Sequence, residues 1–376
     1  MKNVLFVAPT TYAIPLTENI EKKFKYLSEV CNLYIFAFAE KKIEFTAGAT
    51  KLFLYKKVKN RILNYFKIFL LSTFTLPSVI RKNNIEIISY QDPVSSFFSI
   101  LVLRLRKINT KIIIETHGDF IETLSLEKNL LFPKLYKKVF LSMARYTLDK
   151  ADKLRAVSSS TEAQVREINS TKEITRFPAW VDFENYKDIK PVRESNKEFK
   201  ILFIGSVTDR KKPHLIVEAI NRIKSKDIKL YVVGPTPNEN YLSQLKETVK
   251  KYDLEEQVVF TGSVDRKSVM EHYAETNLMI LPSVSEGLAR VIFESQVSAC
   301  PVLVTDAPGM GDIVIDGQTG YVFESNNLES LTNKIDEIKN NYEEAIHIGK
   351  NAKDFILSNY SADNFKFSFK KLFDTV

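Results

Sequence analysis

Short runs of β-branched and aromatic residues alternate along this chain with longer stretches whose apolar positions recur every three or four residues. The first kind predicts buried strands at residues 4–8, 33–38, 51–55, 85–89, 111–115 and 154–157. The second predicts helices at 17–29, 60–82, 94–107, 131–149 and 159–168. Helices between successive strands imply a parallel sheet covered on both faces. A polar stretch follows at 187–200, with Pro191 and six charged residues from Lys190 to Lys200, and reads as a linker. The alternation then restarts. Strands are expected at 199–205, 229–234, 258–261, 278–281, 301–305 and 320–323, and helices at 214–223, 241–251, 267–275, 290–297 and 328–340. Two terminal helices are expected at 343–359 and 363–373. The fold class is therefore α/β, with two Rossmann-like doubly wound parallel-sheet domains at 1–190 and 191–350. The C-terminal helices in 351–376 are expected to pack back on the first domain. A cleft between two such halves is the natural active site.

Composition narrows the class. The chain has 376 residues, 44% hydrophobic and 27% charged, enough apolar material for real cores. Cys31 and Cys300 lie far apart, which excludes a disulfide scaffold and a cysteine zinc site and fits a reducing compartment. His117, His214, His272 and His347 lack metal-ligand spacing, so no metal is expected. The N-terminal apolar run is too short for a signal peptide, and no segment has the roughly 20 apolar residues of a membrane span.

Charge is uneven. Residues 1–190 hold 31 Lys and Arg against 19 Asp and Glu, while 191–376 hold 23 against 27. One half should therefore face an anionic partner. The densest basic stretch runs from Lys51 to Lys82 and is interleaved with Phe53, Tyr55, Tyr65, Phe66, Phe69 and Phe74. That composition suits a helix in a bilayer interface, so an anionic membrane surface is the expected partner. A helix packed on a sheet with a solvated basic face fits the same pattern. Nucleic acid is not expected, because no binding motif accompanies the charge.

The chemistry concentrates at 281–294. A buried strand ends at Pro282, a loop with Ser283 and Ser285 follows, and Gly287 and Leu288 lead into a helix. Free N–H groups and the dipole at a helix start suit a phosphate. Glu286 sits at the mouth of this turn. Glu294 lies eight residues on, about 12 Å along a helix axis, placed for sugar or ribose hydroxyls. Ordinary capping serines and a solvated glutamate would give the same letters.

Glu286 and Glu294, with seven residues between them, resemble the E-x7-E motif of retaining glycosyltransferases of family 4 (glycosyl transferases group 1), which have the GT-B fold. Residues 301–306 with Gly309 and Ile313 are similar to the family's P-V-V-A-T-D-x-G-G-x-x-E-I segment. Asp316-Gly317-Gln318-Thr319-Gly320 is similar to its D-G-x-T-G turn. Upstream, Phe203-Ile204-Gly205 followed by Arg210-Lys211-Lys212 resembles the strand-turn segment whose cations hold the donor diphosphate. Independently, fixed cations stabilise the charge that a departing nucleoside diphosphate gains. Glu115-Thr116-His117-Gly118 resembles the family's H-G, which implies that His117 contacts the transferred sugar or the acceptor. Gly234 and Gly262 resemble its turn glycines. Three places depart from the pattern. Ser206 stands where family members often have Arg directly after the glycine. Ala179-Trp180 stands where the family reads Asn-Gly, with Trp180 expected between the domains. Ala8-Pro9-Thr10-Thr11-Tyr12 replaces a Gly-Gly loop.

The resemblance implies a catalytic set of His117, Glu286, Lys211 and Arg210. Its donor-binding set is Gly205, Ser206, Gly234, Ser285, Gly287, Leu288 and Glu294. Sugar would pass from a nucleotide-sugar donor to a glycan acceptor, lipid-linked or a cell-surface polysaccharide precursor. No cofactor is expected, since no Asp-x-Asp appears. The expected location is cytoplasmic, peripheral on the inner face of the cell membrane. Rival readings are a nucleotide-sugar epimerase on the same fold and a non-catalytic membrane scaffold. A nicotinamide-binding protein is the least favoured reading, since no G-x-G-x-x-G follows any strand.

Overall fold

Strand and helix alternate twice, and each series closes into its own layered unit. The computed structural model describes residues 1–58, 61–117, 133–168, 171–193, 198–284, 286 and 289–376, with backbone alone at 61–66 and 133. The first series runs β1 (Asn3–Thr11), α1 (Glu18–Ser28), β2 (Asn32–Ala39), β3 (Ile43–Ala47), β4 (Thr50–Lys56), α2 (Arg61–Phe74), α3 (Leu76–Lys82) and β5 (Ile87–Tyr90). It continues α4 (Phe97–Leu105), β6 (Lys111–Thr116), α5 (Pro133–Lys150), β7 (Lys153–Ala156), α6 (Ser159–Glu167) and β8 (Ile174–Arg176). The strands form one sheet, ordered β3-β4-β2-β1-β5-β6-β7-β8. All neighbours are parallel except the β3–β4 hairpin.

Alternation of side chains separates the two faces of this sheet. Leu5, Ile88 and Ile112 pack under α3, α4 and α5 through Leu76, Ile80, Leu103 and Leu148. Val4, Phe6, Ile87 and Ile113 belong to the opposite core, with Phe24 and Leu27 of α1. Three details were not expected. The single helix at 60–82 is two, because Pro77 lacks the N–H that would continue the first, and the chain breaks at Thr75. Strand β3 is a largely exposed five-residue edge strand that alternates apolar and polar residues, joined to β4 through Gly48 at φ +57°. Strand β8 has three residues, too few for a periodic signal.

The second series runs β9 (Phe199–Ile204), α7 (Pro213–Ile223), β10 (Ile228–Val233), α8 (Glu239–Lys251), β11 (Val258–Gly262), α9 (Arg266–Glu275) and β12 (Leu278–Leu281). It ends with α10 (Arg290–Val297), β13 (Val302–Thr305), β14 (Tyr321–Phe323), α11 (Leu328–Asn340) and α12 (Tyr342–Asn359). The sheet order is β11-β10-β9-β12-β13-β14, all parallel. Side chains of Asn238, Asp265 and Asn327 cap α8, α9 and α11 by accepting from the third backbone N–H beyond. The order reverses between β9 and β12, and such a switch point leaves a crevice at the carboxyl ends of the strands.

The division between units falls at Trp180 and Val181, earlier than the 190 boundary read from the polar stretch. Val181, Phe183 and Tyr186 are buried in the second core, and Arg193 donates to the carbonyls of Ala299, Tyr273 and Ser298. Most of the expected linker therefore belongs to the second unit. The chain returns once more: α12 stays with the second unit, and α13 (Ala362–Asp374) belongs to the first. Phe365, Phe369, Leu372 and Phe373 of α13 are buried there. Phe369 stacks on Phe6 and Phe177 at centroid distances of 5.9 and 4.9 Å. Burying each ring contributes about 1.5–3 kcal/mol, enough to anchor a 13-residue helix. Trp180 packs in the first unit against Tyr26 at 4.9 Å and Phe365 at 5.4 Å.

Candidate active site

In the second unit, the loops leaving β9 and β12 meet at the switch point. The loop after β9 turns tightly, with the N–H groups of Lys211 and Lys212 both donating to the Thr208 carbonyl at 3.1 Å. Lys212 takes a left-handed conformation and Pro213 opens α7. The loop after β12 is sewn to this turn. The Val284 N–H donates to the Arg210 carbonyl at 3.1 Å, and the Ser283 hydroxyl donates to the same oxygen at 3.4 Å. Ser283 is fully buried, and its own carbonyl accepts from Thr305 at 2.7 Å. Ser283 is thus a seam between loops, not a surface cap.

This seam brings Arg210, Lys211 and Glu286 together. Arg210 Nη1 and Lys211 Nζ each lie 3.2 Å from Glu286 Oε1. That oxygen is buried, yet neither cation meets it with an aligned hydrogen bond. One carboxylate thus holds two cations side by side at the switch point of the sheet. Lys211 is 13% exposed and Arg210 40%, so Lys211 acts from the lower-dielectric position.

Glycines let these loops approach. Gly309 has φ +93°, and any Cβ there would overlap the Glu286 carbonyl; the Glu286 N–H in turn donates to the Pro308 carbonyl at 3.3 Å. Gly309 is therefore what seats Glu286. Gly234, at φ +138°, leaves room for the Gly205 carbonyl, while a Cβ at Gly205 would stand 3.1 Å from Lys211 Nζ. Gly205 lies under the lysine. Gly234 supports it from the neighbouring strand and acts through packing. Ser206 is partly buried in the same turn. Helix α10 starts at Arg290 from Ala289, without a side-chain cap and without an acidic residue in its first turn. Its leading N–H groups are the anion-binding kind. Ser285, Gly287, Leu288 and Gly118 lie outside the described residues.

Glu294 sits on α10 and accepts from the Tyr273 hydroxyl at 3.2 Å. Burial raises its pKa above the usual carboxylate value, against the pull of the Tyr273 hydrogen bond, Arg290 and Arg266. It is a desolvated acceptor suited to ligand hydroxyls. Tyr273 was not anticipated; its α9 position reads as core in the sequence.

In the first unit, His117 follows β6 and is 29% exposed. Its Nε2 lies 3.0 Å from Glu115 Oε2. Glu115 is fully buried, accepts from the Ser89 hydroxyl, and pairs with the buried Arg155 directly across β6 and β7. Arg155 holds the Glu115 carboxyl well below the ordinary carboxylate range, with help from His117 and Ser89, against the opposing effect of burial. Burial, with Arg155 and Lys23 nearby, outweighs Glu115 and lowers the His117 pKa, so the ring is neutral at pH 7. Arg155 was missed by the sequence reading. The available signal was an acid directly after Ile112-Ile113-Ile114 and a base between Leu154 and Ala156, each within an otherwise buried strand. Among the described residues no group of three or more His, Cys, Asp or Glu could hold a metal ion.

The family described as glycosyltransferase family 4 matches residues 31–185, and the family described as glycosyl transferases group 1 matches residues 185–355. The chain belongs to this family of GT-B glycosyltransferases, and it is a transferase. Relatives include the O-antigen biosynthesis glycosyltransferase WbnH of Escherichia coli, 26% identical over 96% of this chain and 98% of that protein. N-acetyl-alpha-D-glucosaminyl L-malate synthase of Bacillus anthracis is 24% identical over 67% of this chain and 65% of its own length. An uncharacterized glycosyltransferase of Methanocaldococcus jannaschii is 29% identical over 41% of this chain, which spans only 42% of that relative. Among solved structures, sucrose-phosphate synthase from Thermosynechococcus elongatus has a TM-score of 0.75 at 16% identity, covering 99% of this chain and 98% of its own. Anabaena HepE in complex with UDP has a TM-score of 0.73 at 14% identity, with both chains fully covered.

Proposed function

We propose that this glycosyltransferase moves a sugar from a nucleotide-sugar donor to a glycan acceptor in polysaccharide biosynthesis, with retention at the anomeric carbon and without a metal. The observation that carries this reading is the convergence of Arg210 and Lys211 on one glutamate at the switch point of the second sheet. A leaving nucleoside diphosphate gains negative charge as the glycosidic bond breaks. Two preorganised cations and the start of α10 stabilise that charge where it develops. Glu286 keeps both cations in place before the donor arrives. Glu294 takes ligand hydroxyls, and neutral His117 serves the sugar or acceptor side. Names of relatives point the same way, among them WbnH and a capsular polysaccharide biosynthesis glycosyltransferase, CapM, of Staphylococcus aureus. Retention rests on the resemblance of the Glu286 and Glu294 motif. Turnover should persist in EDTA; complete loss, restored only by a divalent ion, would remove the metal-free part of the proposal. Donor incubated without acceptor should stay unepimerised by NMR.

A second observation favours an acceptor at an anionic membrane surface, on the cytoplasmic side. Helices α2–α5 hold ten Lys and Arg and one Asp, while α1 and α13 hold six basic and four acidic residues. Exposed Leu70, Phe74, Leu105, Leu135 and Val139 stand among those charges. Among the described residues no helix is long and apolar enough to cross a membrane. Contact of this layer with headgroups therefore describes the association proposed.

A further inference from the structure

We propose that Glu115 is a positioning residue: clamped by Arg155 and Ser89, it fixes the His117 imidazole with its proton on Nε2 and leaves Nδ1 as an acceptor for a ligand hydroxyl. The proposal rests on the reading of His117 as ligand-facing. It begins from an anomaly of the strand. Glu115 follows three isoleucines in β6 and is fully buried, where a hydrophobic residue of similar size would usually be at least as stable. A carboxylate kept in such a place, with every oxygen engaged, has a geometric task.

The engagement leaves little freedom. Oε1 accepts from Ser89 on β5, and Oε2 accepts from Arg155 Nη1 and faces His117 Nε2 at 3.0 Å. Arg155 is itself held. Its Nη2 donates to the carbonyls of Phe177 at 3.3 Å and Pro178 at 2.7 Å, and the guanidinium lies 4.0 Å from the Phe177 ring and 4.8 Å from the Phe369 ring. The carboxylate can only accept, so the shared hydrogen must sit on Nε2. Among the described residues Nδ1 has no hydrogen-bond partner. The charged groups facing the ring are Glu115 on β6, Arg155 on β7 and Lys23 on α1, while Tyr12 at the end of β1 faces Glu115. The two cations and burial keep the ring neutral against the pull of Glu115, so Nδ1 retains its lone pair.

The test is the nitrogen spectrum of histidine in full-length protein labelled with 15N-histidine, with His117→Gln used to assign the signal. The wild type should show His117 as the Nε2–H tautomer. Glu115→Gln, whose amide can donate as well as accept, should move it toward a mixture or the Nδ1–H form. Turnover should fall about 10–100-fold with donor KM little changed, as for supporting partners of other functional histidines. Ser89→Ala, which leaves the Glu115–His117 contact in place, should keep the tautomer. An Nδ1–H signal in the wild type overturns the proposal even if Glu115→Gln fails to fold. So does Glu115→Gln that keeps both the wild-type tautomer and wild-type turnover. Unchanged turnover in His117→Gln removes the ligand-facing role instead, and the tautomer measurement tells the two failures apart.

Discussion

Single side chains carry the chemistry, and their burial ranks them. Lys211→Ala should lower turnover about 10²-fold or more, and Arg210→Ala by less, because the arginine is the more solvated cation. Steady-state kinetics with a matched donor and acceptor checks the order. Glu294 sets a pH dependence. Its pKa is raised, so as pH falls the carboxylate protonates sooner than an ordinary glutamate. Donor affinity should therefore weaken at a higher pH than a normal carboxylate predicts, and Glu294→Gln should flatten that limb in calorimetric titrations. Glu115 works in the opposite sense. Its folded pKa is depressed, so its stabilisation is complete above the unfolded value of about 4.3 and is lost as pH falls below it. At this scale the sequence was only half legible. Arg210, Lys211 and Glu286 stand at readable spacings after strands. The role of Gly309 depends on a carbonyl 23 residues away in sequence, and no local pattern announces such an approach.

Elements show what periodicity reveals and what it hides. The core strands and amphipathic helices of both sheets are strong two-residue and 3.6-residue signals, and β12, α10 and α11 fall on their expected bounds. The hairpin strand β3 alternates apolar and polar residues over only five positions, most of them exposed, too short a run to stand out beside the core strands. Both terminal helices were expected with the first domain; α13 lies in the first unit, on aromatic partners distant in sequence, while α12 lies in the second. Phe369→Ala should cost about 3–5 kcal/mol in chemical denaturation followed at the first unit, because the ring is buried among four other aromatic rings. The basic helix layer makes a separate prediction. Sedimentation with phosphatidylglycerol vesicles should retain the protein at low salt, and Leu135→Ser with Val139→Ser should weaken that retention. Equal loss on reversing the α13 charges Lys370 and Lys371 would place the contact elsewhere.

At the scale of the whole molecule, the proposed function draws on a separate set of groups in each unit. The first presents a neutral histidine on a buried ionic clamp; the second presents cations, an uncapped helix start and a desolvated glutamate. Each set sits beyond the carboxyl ends of parallel strands, where this architecture offers its crevices. The base and sugar of the donor follow from contacts that one fold varies freely. A thermal-shift screen of UDP, GDP and ADP sugars should single out one base, since a ligand at 100 times its Kd stabilises by about 2.7 kcal/mol. The most direct measurement is a crystal structure of the protein soaked with the nucleoside diphosphate selected in that screen. The account predicts phosphate oxygens within hydrogen-bonding distance of Lys211 and Arg210 and facing the start of α10. A nucleotide lodged elsewhere, or phosphates turned away from those cations, would contradict it.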